Sequence, residues 1–111
     1  MDTSESKNIY RVDKFIIPAS SRDEFLARTK AVQGFLKTQD GFIRSACLEQ
    51  FSGPGEFNIV TIAQWSSSAH VERAKAAVAA FAQEAKFEPQ EEFQRRLGIK
   101  ADLGFYKETV A

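Results

Sequence analysis

The segment FNIVTIAQWSSSAHVERA, residues 57–74, joins a strand pattern to a helix pattern. Apolar and β-branched residues dominate its first half, which predicts a strand that ends at Trp65. Three serines follow, and serine side chains accept hydrogen bonds from the free N–H groups at the start of a helix. Apolar residues then recur on one stripe at helical spacing: Val71, Ala74, Val78, Phe81, Ala82 and Ala85. We therefore predict a buried strand that passes directly into an amphipathic helix.

Strands and helices are also predicted on both sides of this segment. The remaining strand patterns lie at residues 9–18, 42–51 and 101–110. Ser21 and Glu24 have the form of a capping box, which predicts that a first helix begins there. Pro89 and Gly98 are predicted to delimit a short third helix. This order, β-α-β-β-α-(α)-β, is that of the ferredoxin-like arrangement, an α+β fold in which two helices cover one face of a four-stranded antiparallel sheet.

The strands of this predicted sheet are apolar on both faces. In residues 57–65, Ile59 and Trp65 share one side, whereas Ile62 lies on the other. The faces predicted for the second strand are Phe42 and Leu48 on one side and Ile43 and Phe51 on the other. Because the two helices can cover only one face, the other would expose an apolar patch of roughly several hundred Å². We predict that a second copy covers it, giving a homodimer with a two-fold axis; the alternative is a monomer whose strands curl enough to hide the surplus.

Length and composition exclude several classes of protein. The chain has 111 residues, enough for one domain with its own core, and we predict a disordered tail at residues 1–8 and a single domain at 9–111. Fifteen basic and fifteen acidic side chains cancel, so neither nucleic acid nor a membrane surface is an expected partner. The absence of a secretory signal or spanning segment predicts a cytoplasmic protein. One cysteine and one histidine provide neither a disulfide nor a metal-binding spacing.

The strand-to-helix junction resembles that of a known family. In antibiotic biosynthesis monooxygenase domains, and in particular in bacterial quinol monooxygenases, a Trp-x-Ser-x-x-His pattern with an apolar-Glu pair occupies the place of QWSSSAHVE, residues 64–72. DGF at 40–42 and LEQ at 48–50 are similar too, and the resemblance spans residues 9–110. It implies a dimeric α+β barrel in which each subunit has a pocket between its sheet and its helices.

The resemblance also implies an activity. It suggests a monooxygenase that oxidises an electron-rich aromatic substrate, such as a quinol, an anthrone or a polyketide-like ring, with molecular oxygen. Such a substrate loses a proton to give an anion that itself donates an electron to oxygen, so no cofactor is required. The quinol monooxygenase pattern has further histidines along the second helix, where this chain has Ala74, Ala79 and Ala80.

Two other hypotheses remain open at this stage. A dimer of the same fold without catalytic activity would bind an apolar metabolite or a partner protein, because a shared fold does not bring its activity with it. Haem degradation is the third, although the haem-degrading branch of the family uses a histidine farther along the second helix and none follows His70.

Two residues of the junction are candidates for chemistry. His70 matches a histidine of the family pattern and is a candidate general base, because an imidazole titrates near neutral pH. Its structural alternative is a partly exposed helix histidine. Trp65 matches the tryptophan of the pattern and is predicted to line the pocket and to hold a substrate oxygen through its N–H group; the alternative is an ordinary core aromatic.

The first strand carries a charged pair, Arg11 and Asp13, on the same face as Phe15. Desolvation raises the pKa of a carboxylic acid and a nearby arginine lowers it, so the pair suits a pocket base with an orienting cation. The alternative is a salt bridge at the surface or between subunits. Arg44 and Tyr106 are predicted either to bind a substrate oxygen or to cap the edge of the sheet.

The alanines of the second helix leave room for a cavity that phenylalanines would line, or else they belong to an ordinary packed core. The predicted catalytic residues are His70, Asp13 and Trp65. The predicted substrate-binding residues are Arg11, Phe15, Arg44, Val78, Phe81 and Tyr106. No metal site is predicted.

Overall fold

The structure, a computed structural model, describes residues 7–109. Its strands are β1 (Ile9–Ile16), β2 (Phe42–Glu49), β3 (Ile59–Trp65) and β4 (Lys100–Tyr106), and its helices are α1 (Arg22–Leu36), α2 (Ser68–Glu84) and α3 (Gln90–Leu97). A single 3₁₀ turn, Ala19–Ser21, precedes α1. All but the last two positions of the tail predicted for residues 1–8 lie outside the described residues. None of the helices within residues 7–109 has the length and hydropathy of a membrane-spanning segment.

The four strands form one antiparallel sheet in the order β2-β3-β1-β4. β2 and β3 are adjacent in the chain and pair as the predicted hairpin, whereas β1 lies between β3 and β4. This is the connectivity of the ferredoxin-like fold, so the predicted α+β arrangement is confirmed.

The register of β1 determines which residues face the helices. Arg11 lies opposite Ala63 of β3 and Phe105 of β4, so these three side chains share one face of the sheet. The same face carries the core. One core cluster consists of Phe15, Ile17, Phe25, Ile59, Phe93 and Ile99, and a second of Trp65, Val71 and Ala74.

The capping box predicted at the start of α1 is not formed. Ser21 has helical backbone angles within the 3₁₀ turn, and its hydroxyl donates to the carbonyl of Leu97 at 2.7 Å instead of capping α1. Glu24 forms an ion pair with Arg96 of α3. The prediction was wrong because the preceding turn carries the chain into α1 without the extended residue that a capping box requires.

The predicted faces of β2 are also wrong in part. Phe42 pairs with Trp65, but Arg44 pairs with Gln64, so the register shifts by one residue between Phe42 and Arg44. The extra residue of such a bulge moves the residues that follow it to the face opposite the one that strict alternation predicts. Phe42 therefore packs on the helix side beside Trp65, whereas Leu48 lies on the open face, and the two do not share a face.

The junction after β3 forms as predicted. Ser67 is the N-cap of α2, and its Oγ accepts a hydrogen bond from the backbone N–H of His70 at 3.3 Å. At the other end of the helical layer, α3 closes at Gly98, whose φ of 70° is the left-handed conformation that glycine adopts without steric cost.

Candidate active site

A cavity of about 530 Å³ lies between the helix-facing side of the sheet and the helices. It has the size of a site for a small organic ligand. Its walls are the sheet, α1, α2, α3 and the loop between α2 and α3. Aromatic side chains make up much of the lining: Phe15, Phe25, Trp65, Phe87, Phe93 and Phe105.

Two features of the helices leave this space open. α2 contributes small side chains, among them Ala74, Ala79 and Ala82, which do not fill it. Large rings meet at the contact between the two long helices, where Phe35 of α1 stacks on Phe81 of α2 with ring centroids 4.4 Å apart. The small side chains of α2 leave a gap between the helices and the sheet, and the stacked rings at the contact between α1 and α2 maintain it.

Arg11 and Asp13 on β1 form an ion pair in the wall of the cavity. Arg11 Nε donates to both carboxylate oxygens of Asp13, at 3.1 Å to Oδ1 and 2.9 Å to Oδ2. The Asp13 side chain is only 14% exposed, whereas that of Arg11 is 38% exposed. Burial raises the pKa of Asp13, and the charge and hydrogen bond of Arg11 act in the opposite direction. The site therefore holds a carboxylate that takes up a proton more readily than an ordinary aspartate does.

Trp65 lies at the end of β3, in the cavity wall. It is 3% exposed and packs edge-on against Phe42, with ring centroids 5.4 Å apart. Phe15 and Phe25 form another edge-on pair, with centroids 4.8 Å apart, and both line the cavity. The flat walls suit a planar aromatic ligand.

His70 lies outside the lining of the cavity. Its Nδ1 is 2.7 Å from Ser67 Oγ and 3.0 Å from Ser66 Oγ, so serine hydroxyls can donate to it. The ring also packs against Gly41, since a Cβ added to that glycine would lie 2.1 Å from His70 Cγ. In this structure His70 joins the start of β2 to the start of α2.

The other predicted substrate-binding residues lie on two different sides of the sheet. Val78 lines the cavity, whereas Phe81 is not among the lining residues and stacks on Phe35. Arg44 and Tyr106 do not line it. Both lie on the face of the sheet away from the helices. Arg44 pairs with Gln64, Gln64 pairs with Tyr10, and Tyr10 pairs with Tyr106, so these residues form one row across that face.

Sequence reasoning missed several lining residues, above all Arg28 and Lys75. Arg28 follows Phe25 by three positions on α1 and precedes Val32 by four, so it belongs to the apolar side of that helix. A charged residue within an apolar stripe was the signal available in the sequence. Among the described residues, no group of three or more His, Cys, Asp or Glu side chains is arranged to hold a metal ion.

No family model and no curated protein matches the chain in sequence. Solved structures do match its fold. SnoaB of Streptomyces nogalater, a cofactor-independent oxygenase, has 21% identity and a TM-score of 0.62, covering 96% of this chain and 97% of its own. The haem degrader MhuD of Mycobacterium tuberculosis, solved with two haems in its active site, has 17% identity and a TM-score of 0.62, with 93% and 97% covered.

A dabb family protein of Mesorhizobium loti, which has a ferredoxin-like fold, shows the same likeness. It has 15% identity and a TM-score of 0.61, with 93% of this chain and 98% of that one covered. The resemblance found in the junction sequence is thus confirmed at the level of the fold.

Proposed function

We propose that this protein is a cofactor-independent monooxygenase that oxidises an electron-rich aromatic substrate of the anthrone or quinol type. The observation that carries the proposal is a carboxylate with a raised pKa, Asp13, held by Arg11 inside an aromatic cavity. The likeness of the fold to SnoaB, an oxygenase without a cofactor, supports the same activity. The aromatic rings in the cavity wall favour a substrate with a planar ring system.

The chemistry needs a base and an enclosed site. For an anthrone, Asp13 takes one proton from the ring methylene, and the resulting carbanion donates its electrons to molecular oxygen. The peroxide anion takes up a proton, and loss of water from the hydroperoxide leaves a carbonyl. One oxygen atom enters the product and the other leaves as water, so the substrate is the only reductant.

The remaining residues have positioning roles in this proposal. Arg11 orients the carboxylate of Asp13 through its two hydrogen bonds and stabilises negative charge as it develops on the substrate. Trp65, Phe15 and Val78 hold the ring system and keep water from the anion. We assign the base to Asp13 rather than His70, because Asp13 lines the cavity and the Nδ1 of His70 faces two serine hydroxyls.

MhuD, which matches the fold, is a haem degrader. Haem iron in proteins is held by His, Cys, Met or Tyr side chains. None of the described residues that line the cavity is of these four types. The described lining of the cavity therefore does not fit a haem that needs an axial ligand from it, and the proposed reaction uses no haem.

Oxygen uptake by metal-free protein with anthrones and quinols tests the proposal. We expect Asp13→Asn to lower kcat/KM by about 100-fold or more, the usual contribution of a general base. Asp23→Asn is the matched control, since Asp23 is 98% exposed in the first turn of α1 and does not line the cavity. It is expected to leave the rate unchanged.

Two outcomes would contradict the proposal. If Asp13→Asn keeps the wild-type rate, Asp13 is not the base. If no substrate of either class consumes oxygen but these ligands raise the melting temperature, the protein is a binding module of the same fold. His70→Ala is expected to keep most of the activity at temperatures where it stays folded.

A further inference from the structure

Arg28 on α1 is the one cation in the cavity wall that has no carboxylate partner among residues 7–109. The positively charged residues that line the cavity are Arg11, Arg28 and Lys75. Arg11 pairs with Asp13, and Lys75 Nζ lies 2.9 Å from Glu72 Oε2. Arg28 forms instead one hydrogen bond, from Nη1 to the carbonyl oxygen of Glu88 at 2.7 Å.

The carboxylate of Glu88 is not free to neutralise Arg28. It is bound by Arg96, whose Nη2 lies 2.8 Å from Glu88 Oε1 and which also pairs with Glu24. A guanidinium has five N–H donors, and the described structure uses one of those of Arg28. Burial lowers the pKa of Arg28 from its ordinary value, and the nearby Glu88 acts against this. The side chain is therefore a partly desolvated cation, and its other N–H groups have no hydrogen-bond acceptor among the described residues.

Aromatic rings fix the position of this guanidinium. Its central carbon lies 4.3 Å from the ring centroid of Phe93 and 5.0 Å from that of Phe87. Both rings line the same cavity as Asp13. These contacts restrict the movement of the guanidinium, whose planar fork can form two parallel hydrogen bonds to a carboxylate.

We propose that Arg28 binds a carboxylate carried by the aromatic substrate, so that the protein acts on aromatic acids in preference to their neutral analogues. This inference rests on the proposed function for the aromatic nature of the ligand. Asp13 and Arg28 belong to different walls of the cavity, the sheet and α1, and the paired rings of Phe15 and Phe25 belong to the same two walls. The substrate places its reacting ring at the sheet and its acidic group at α1.

Binding of two anthraquinones in the absence of turnover tests the inference. Trp65 is the only tryptophan and lines the cavity, so quenching of its fluorescence reports occupancy. We expect anthraquinone carboxylate to bind at least about tenfold more tightly than the neutral hydroxymethyl analogue, as a charged hydrogen-bonded pair provides. Arg28→Met keeps an apolar stem between the rings, and it should remove this preference while the affinity for the neutral ligand changes little.

The controls separate Arg28 from the other cations and from folding. Lys75→Met should keep the preference, and Arg28→Lys should keep part of it, since a lysine is a cation without the planar fork. Equal affinities for the two ligands in the wild type, a preference that survives Arg28→Met, or no binding of either ligand would each overturn the inference. Oxygen uptake is measured separately, so a preference for the acid in a protein that consumes no oxygen would contradict the proposed oxygenase and leave the role of Arg28 standing.

Discussion

The environment of a single carboxyl group, that of Asp13, governs both the proposed chemistry and part of the stability. A carboxyl group whose pKa is higher in the folded than in the unfolded state favours folding at low pH, and this contribution is lost as the pH rises through the folded-state pKa. Burial gives Asp13 this direction of shift. We therefore expect the free energy of unfolding of Asp13→Asn to rise relative to that of the wild type as the pH increases from about 4.

Urea unfolding at a series of pH values measures this difference. Asn does not titrate, so the variant is free of the linkage, and Asp23→Asn again serves as the control. A difference between wild type and Asp13→Asn that stays constant with pH would show that the pKa of Asp13 is not raised.

At the same scale, the sequence predicted some side-chain positions and missed others. Arg11 and Asp13 lie on the face of Phe15 because strict alternation holds along β1. Alternation also predicts the face of the sheet on which Arg44 lies, but only if the position of the bulge in β2 is known. No single residue type marks that bulge in the sequence. The hydroxyl groups beside His70 belong to Ser66 and Ser67, in the turn between β3 and α2. Helical spacing alone does not predict which way these hydroxyl groups point.

Among the connections between elements, the one that joins β2, β3 and α2 depends on a glycine. Gly41 has a φ of 80°, its carbonyl accepts from the N–H of Ser66 at 2.9 Å, and the ring of His70 packs against its Cα. Gly41→Ala would place its Cβ 2.1 Å from His70 Cγ. We expect this substitution to lower the free energy of unfolding by at least about 2 kcal/mol, from the strained backbone and the collision together.

Gly34→Ala is the matched control for this prediction. Gly34 lies inside α1, and a Cβ added there would meet nothing within 4 Å. Alanine should therefore stabilise the helix, by up to about 1 kcal/mol. Chemical unfolding of both variants measures the two effects, and a Gly41→Ala protein as stable as the wild type would contradict the geometry of the junction.

The type and order of the elements were predictable, whereas their ends were less so. Apolar patterns predicted the two long helices and three of the strands of residues 7–109, since burial on one side imposes the period. The short third helix was predicted from Pro89 and Gly98 instead. The capping box failed because Ser21 bonds to Leu97, a residue distant in the chain. Local patterns carry no information about such a partner.

On the scale of the whole molecule, the face of the sheet away from the helices is left uncovered in the single chain. Leu48 is 52% exposed on that face, and the residues Val12, Val60 and Ile62 of the same face remain half-exposed in the single chain. We propose that a second copy covers them, as the sequence led us to expect. Light scattering should then give the mass of two chains.

Leu48→Glu should shift the protein toward the mass of one chain, because the introduced charge would be buried in the interface. Ala80→Glu is the control, since Ala80 is exposed on α2 in the helical layer. A wild type that scatters as one chain at all concentrations would contradict the homodimer.

In the proposed function, Asp13 is the base that starts the transfer of an oxygen atom from molecular oxygen to the methylene carbon of an anthrone. The most direct measurement is mass spectrometry of the product formed from an anthrone under heavy-isotope oxygen gas, with metal-free wild type and Asp13→Asn compared against the reaction without protein. The proposed function predicts one heavy oxygen atom per product molecule, formed much faster with the wild type than with the variant or without protein. Product formed no faster than in the protein-free reaction, or equally fast with Asp13→Asn, would contradict it.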